Sequence, residues 1–152
     1  MPQSGSKMVY LDVCCLNRPF DDQSQDRIRL ESEAVIIVLS FCESGNWQLV
    51  VSDVVDYEIS RIPDPERKER IMAYTDLAHD CIELNNNIKR RALKLTQIGF
   101  KPYDALHIAC AESANIDVFL TTDDKLLSLA RRSKEELVVE VINPLIWLME
   151  VM

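Results

Sequence analysis

Glycine is scarce in this chain, with three in 152 residues, while apolar residues make up 47% and charged residues 28%. That balance excludes fibrous and disordered classes and leaves an ordinary globular protein. Long apolar runs are also missing. The longest, Ala34 to Leu39, falls far short of the ~20 residues that span a bilayer. Met1 to Lys7 has no apolar segment of the kind that directs secretion. A cytoplasmic protein without a membrane span is expected. The five cysteines, Cys14, Cys15, Cys42, Cys81 and Cys110, are odd in number and lack paired CxxC spacing. A zinc or redox centre is therefore not indicated, and buried, reduced thiols are expected. Repeats, low-complexity tracts and internal linkers are absent as well.

Positive charge is the remaining shortage: 17 bases face 25 acids, a net charge of −8. Binding to phosphates relies on Lys and Arg, so this imbalance counts against a nucleic-acid enzyme unless some of the acids have another task. If four acids sat together around a cation, 21 would remain against 17, and the cation would offset part of the clustered charge.

The length suits one domain. Residues 1–7 are expected to be a disordered N-terminus and residues 8–152 a single domain. Met8 to Cys15 reads as a buried strand interrupted by Asp12, followed by a turn-rich loop around Pro19, Asp21 and Asp22. Ile28, Val35, Leu39 and Cys42 then fall on one helix face that ends near Gly45. Trp47 to Val51 is a second strand, with Ser52 or Asp53 capping a helix that carries Val54, Val55, Glu58, Ile59 and Ile62 until Pro63 and Pro65. Further helices are expected over about 66–79, 85–98, 104–114 and 124–132, and strands over 81–84, 118–120 and 138–142. Strands alternating with helices imply an α/β domain with a central parallel sheet, right-handed crossovers and ligands at the carboxyl ends of the strands.

Among 25 acids most are solvated, so only those in apolar or strand-end settings are informative. Asp12 lies between Leu11 and Val13, where a lone carboxylate needs a partner or a cation. A buried salt bridge is the plainer alternative. Glu58 sits four residues after Val54 and four before Ile62, on the apolar face of its helix; a rim residue with a packed stem would look the same. Asp104 opens an Ala-rich helix, and Asp123 follows Val118 to Thr122 at a strand end. Either could be a simple N-cap. Clustered carboxylates raise one another's pKa unless a cation joins them, and an oxygen-only set selects Mg²⁺ or Mn²⁺ over Zn²⁺.

The strand ending Tyr10-Leu11-Asp12, Glu58, the run Lys101-Pro102-Tyr103-Asp104-Ala105-Leu106-His107-Ile108-Ala109 and Leu120-Thr121-Thr122-Asp123 together resemble the PIN domain. The resemblance spans nearly the whole chain, and its most specific piece runs from Asp104 to Ala109. It implies a Rossmann-like three-layer α/β/α fold and RNA phosphodiester hydrolysis with Mg²⁺ or Mn²⁺ held by Asp12, Glu58, Asp104 and Asp123. Thr121 matches the hydroxyl residue that supports the site. Many small members, those of the VapC type, are toxins neutralised by a partner antitoxin, and members commonly form homodimers. The apolar end, Leu145 to Met149, suits packing on the core or on a second copy. In one respect the chain departs from the pattern: a small polar pair often follows the first Asp, and here Val13 and Cys14 stand there. A supporting hydrogen bond to Asp12 is expected to be missing, with Asn17 as a substitute from the following loop.

Lys101 and Arg18 are candidate phosphate contacts, whereas His107 is read as a packed helix residue and not as a base. Two other readings compete. One is a PIN scaffold of weak activity that binds RNA or a protein. The other is a phosphorylation-dependent receiver built on Asp12, Asp53 and Lys101-Pro102. The receiver fits poorly, because only one acid follows the first strand and Lys101 does not close one.

Overall fold

The computed structural model describes residues 6–152. Expected disorder in residues 1–5 lies outside this range. Within it, the Lys7 carbonyl already accepts from the Gln48 N–H at 2.9 Å.

Five strands form one parallel sheet: β1 (Met8–Leu11), β2 (Gln48–Ser52), β3 (Asp80–Ile82), β4 (Val118–Leu120) and β5 (Glu140–Ile142), in the order β3-β2-β1-β4-β5. Val9 of β1 pairs with Leu49 on one side and with Val118 on the other. Helices cover both faces, giving the three-layer α/β/α fold, and for that reason β1, β2 and β4 are continuous apolar runs and not alternating ones. β3 and β5 are edge strands and carry more exposed residues. The chain builds β1, β2 and β3 outward in one direction, then returns across the sheet to place β4 on the other side of β1. Strand order therefore reverses between β1 and β4. At such a switch point the loops leaving neighbouring carboxyl ends diverge and leave a crevice.

The helices are α1 (Val13–Asn17), α2 (Asp26–Glu43), α3 (Asp53–Ser60), α4 (Pro65–Thr75), α5 (Asn86–Ile98), α6 (Pro102–Ser113), α7 (Asp124–Arg132) and α8 (Pro144–Val151). Their starts follow cap chemistry. Ser52, Asp64, Asn85, Asp123 and Asn143 each accept from backbone N–H groups of the first turn. Gly99 closes α5 at φ +127°, a conformation that L side chains rarely adopt.

Three expectations need correction. The first strand stops at Leu11, not Cys15, because Val13 to Asn17 turn into a short helix that buries Val13, Cys15 and Leu16; a short apolar run does not distinguish strand from helix by periodicity. The helix begun at Pro65 ends at Thr75, well before His79. Cys81 is exposed and Cys14 half-buried, although all five thiols are free. The apolar end forms α8, which buries Trp147 and Leu148 and sets Trp147 against Trp47 with ring centres 4.8 Å apart. Ile146 and Met149 remain exposed. No helix among the described residues is long and apolar enough to cross a membrane.

Candidate active site

The site is assembled from the carboxyl ends of β1 and β4 and from two helices that approach them. Asp12 is the first residue after β1, and its N–H donates to the Leu120 carbonyl at 2.9 Å, so the two strand ends are tied together. The residue is 8% exposed. The Thr121 hydroxyl donates to Asp12 Oδ2 at 2.8 Å, and the Cys14 thiol donates to the same oxygen at 3.4 Å while lying 3.3 Å from Thr121. The hydrogen bond expected to be lost at Val13-Cys14 is thus present. A thiol stands where a hydroxyl or amide is common, and α1 turns it back onto the strand end.

Glu58 reaches the site from the last turns of α3, half-buried, and its Oε1 meets Nε2 of His107 from α6. His107 is 1% exposed, and its Nδ1 lies 2.6 Å from the Tyr10 hydroxyl, which in turn lies 2.6 Å from Ser52 Oγ. Burial pushes the Tyr10 phenol well above its ordinary range, so it stays protonated and can donate. Ser52 also accepts from Val55 N–H at the start of α3. A hydrogen-bonded chain thus runs from the cap of α3 through β1 to His107 and back to Glu58 on α3. It fixes the Glu58 carboxylate from a neighbouring helix. His107 is packed, as expected, but it also positions Glu58, a role whose trace in the sequence is a histidine three residues after Asp104 within the apolar stretch Ala105 to Ala111.

Asp12, Glu58 and His107 offer ligand atoms that all lie within 4.8 Å of one another. His107 Nε2 is also 4.0 Å from Asp12 Oδ1. Asp104 and Asp123 fall outside that tight group but share its field. Burial pushes the Asp104 carboxyl up to about 6, and the neighbouring charges of Asp12 and Asp123 add to the shift, against His107 and Lys101. The Asp12 carboxyl is also raised, first by burial, with His107 and Thr121 opposing. Asp123 caps α7 through Oδ1 alone, with Lys125 N–H at 2.9 Å and Leu126 N–H at 3.2 Å. The plain cap reading of Asp123 is therefore true, and it coexists with a place beside the other acids. Carboxylates brought together at a partly buried strand end, two of them raised first by burial, are donor chemistry that suits a hard divalent cation.

The Asp104 shift carries a pH dependence. Its folded pKa near 6 lies above the ordinary 3.8, so between these values the folded state binds more protons than the unfolded state, and this group's stabilising contribution is lost as pH rises through about 6. In metal-free protein, Asp104→Asn should therefore gain stability relative to wild type as pH goes from about 4 to 7. Urea midpoints at the two pH values check this; a difference that stays constant would contradict it.

Of the remaining candidates, Lys101 is exposed just before α6, close enough to Asp104 to lower its pKa. Arg18 instead pairs with Glu31 at 3.0 Å and Asp21 at 3.2 Å. The Asn17 side chain donates to the Val13 carbonyl at 3.1 Å and accepts from Arg67 at 3.3 Å. Asp53, central to the receiver reading, is exposed and accepts from Leu84 N–H at 2.9 Å.

The profile of the PIN domain matches residues 9–132. The chain belongs to the PIN domain family. This displaces the receiver reading. Among solved structures, this PIN chain is similar to FitAcB from Neisseria gonorrhoeae, with a TM-score of 0.61, 15% identity, and 90% of this chain and 98% of that one covered. It is also similar to VapBC2 from Rickettsia felis bound to a DNA fragment from their promoter, with a TM-score of 0.57, 13% identity, and coverage of 90% and 97%. PAE2754 from Pyrobaculum aerophilum gives a TM-score of 0.55, 15% identity, and coverage of 95% and 90%. At these identities the likeness is one of fold. Comparison with curated protein sequences gives no significant match. PIN domains are generally nucleases, which is the activity class this membership supports.

Proposed function

We propose that this PIN domain is a metal-dependent endoribonuclease, acting as the toxin of a toxin–antitoxin pair. The observation that supports the reading is the close group of Asp12 and Glu58 at His107, with Asp104 in the field of Asp12 and Asp123, beside the point where strand order reverses. Mg²⁺ or Mn²⁺ held by these four carboxylates would activate water and offset the charge that develops on a phosphate. The chain's own residues prepare the site for it. Thr121 and Cys14 hold Asp12 by one oxygen, leaving Oδ1 directed toward Glu58 and His107. His107 orients Glu58, and the cap of α7 orients Asp123. Lys101 supplies a positive charge at the rim for RNA phosphate. A cytoplasmic setting and a homodimer belong to the same reading, as does an antitoxin partner, the one of the three that the likeness to FitAcB and VapBC2 supports.

The net charge of −8 favours a second reading, a PIN scaffold of weak activity that binds a partner or RNA. One assay separates the two. Purified protein with Mn²⁺ is expected to cleave single-stranded RNA, to leave DNA of the same sequence intact, and to stop when the metal is chelated. Cleavage that continues in chelator overturns the metal-dependent reading, and no cleavage with metal bound favours the scaffold.

A further inference from the structure

Most large aromatic residues of this chain are in the core or packed against it, including Tyr10, Phe100, Phe119 and Trp147. Tyr57 and Tyr103 are different. They are 48% and 47% exposed, yet they are paired, with ring centres 6.1 Å apart and planes inclined by 18°. Tyr57 directly precedes Glu58 on α3, and Tyr103 directly precedes Asp104 in the first turn of α6. The two rings thus meet beside the acidic site, each on the backbone that carries one of its carboxylates. The Arg61 guanidinium lies 6.0 Å from the Tyr57 ring centre, and exposed Lys101 stands two residues before Tyr103. On a protein with an excess of acids, this places two cations and a stacked pair of exposed rings next to the acids of the candidate site.

We propose that Tyr57 and Tyr103 form a stacking platform for a nucleobase of single-stranded RNA, with Arg61 and Lys101 neutralising the adjoining phosphates. The inference rests on the ribonuclease reading and adds how its substrate is held. Every base has a π-face, so stacking on tyrosine attracts single strands with little regard to sequence. A base paired within a duplex has no free face to offer. The platform therefore selects unpaired RNA and sets the next phosphate over the acids. It also resolves the charge objection: affinity comes from stacking and two local cations, and not from a broad basic surface.

The test is the steady-state cleavage of a short single-stranded RNA with Mn²⁺ by wild type, Tyr57→Ala, Tyr103→Ala and the corresponding Phe variants. Each Ala variant should raise KM by about tenfold, the loss expected for one stacked base. The Phe variants keep the flat face and should recover a KM near wild type, which separates stacking from hydrogen bonding by the phenols. An RNA with abasic positions should bind wild type as weakly as intact RNA binds the Ala variants. Ala variants with unchanged KM would overturn the platform while leaving the ribonuclease reading intact. If they instead shift the mass of the protein in solution with KM unchanged, the tyrosines face another protein and the inference is also overturned. Wild type that fails to cleave RNA at all sinks both readings together.

Discussion

Asp12→Asn is expected to lower RNA cleavage by about a thousandfold or more, the scale seen when a group essential to the reacting centre is removed, without weakening the fold. The two effects have opposite origins. Asp12 is buried and its carboxyl is pushed up from the ordinary value mainly by desolvation, so the ionised form is strained in the metal-free protein. An amide of the same shape removes that cost. Its oxygen can still accept from the Thr121 hydroxyl that now holds Oδ2 at 2.8 Å. The variant should thus unfold in urea at the wild-type midpoint or above, while cleavage collapses. A midpoint well below wild type would mean that Asp12 is a structural group, and the loss of cleavage would then carry no information about chemistry. Such a trade between stability and activity is the signature of a site held against its own electrostatics.

Glu31→Ala should destabilise the protein by about 3 kcal/mol, the scale for breaking a buried ion pair from one side. Glu31 of α2 is 2% exposed and accepts from Arg18 at 3.0 Å, Arg27 at 3.2 Å and Asn143 at 2.6 Å. Removing it takes a buried acceptor from Arg18 and from Asn143, while half-exposed Arg27 keeps Asp124. The consequence reaches the active site through Arg27, whose two terminal nitrogens each meet Asp124 at 2.7 Å and one of which also donates to the Thr122 carbonyl at 3.1 Å. Arg27 therefore grips the residues on both sides of Asp123. Freed from Glu31, it holds that turn less firmly, so cleavage should also fall. A urea midpoint lowered at constant slope checks the stability effect, and a midpoint equal to wild type would contradict it.

Asp12 and Asp123 stood out in the sequence because a carboxylate among or just after apolar residues is conspicuous, although the end of the first strand at Leu11 was not legible. Glu58 was half-legible: its helix face is apolar, but a rim residue gives the same spacing, and only His107 distinguishes the two. His107, Tyr10 and Ser52 were not legible as a unit, since they lie on α6, β1 and β2 and meet only once the crossovers are made. The same holds for Cys14. Its role depends on the chain turning into α1 directly after Asp12, where an apolar run of Val13 to Leu16 reads equally well as more strand. Arg18 looked like a loose basic group in a loop, while the structure engages it with an acid thirteen residues later. Exposed Tyr57 and Tyr103 carried no periodic signal, and their pairing depends on the packing of α3 against α6.

The central claim is that the acids at the β1–β4 crevice form a divalent cation site, and calorimetric titration of the metal-free protein with Mn²⁺ tests it most directly. Wild type should bind with heat that vanishes in Asp12→Asn, and binding should release protons near pH 6, where the Asp104 carboxyl is partly protonated. Equal binding by wild type and Asp12→Asn, or no binding by wild type, would contradict the account.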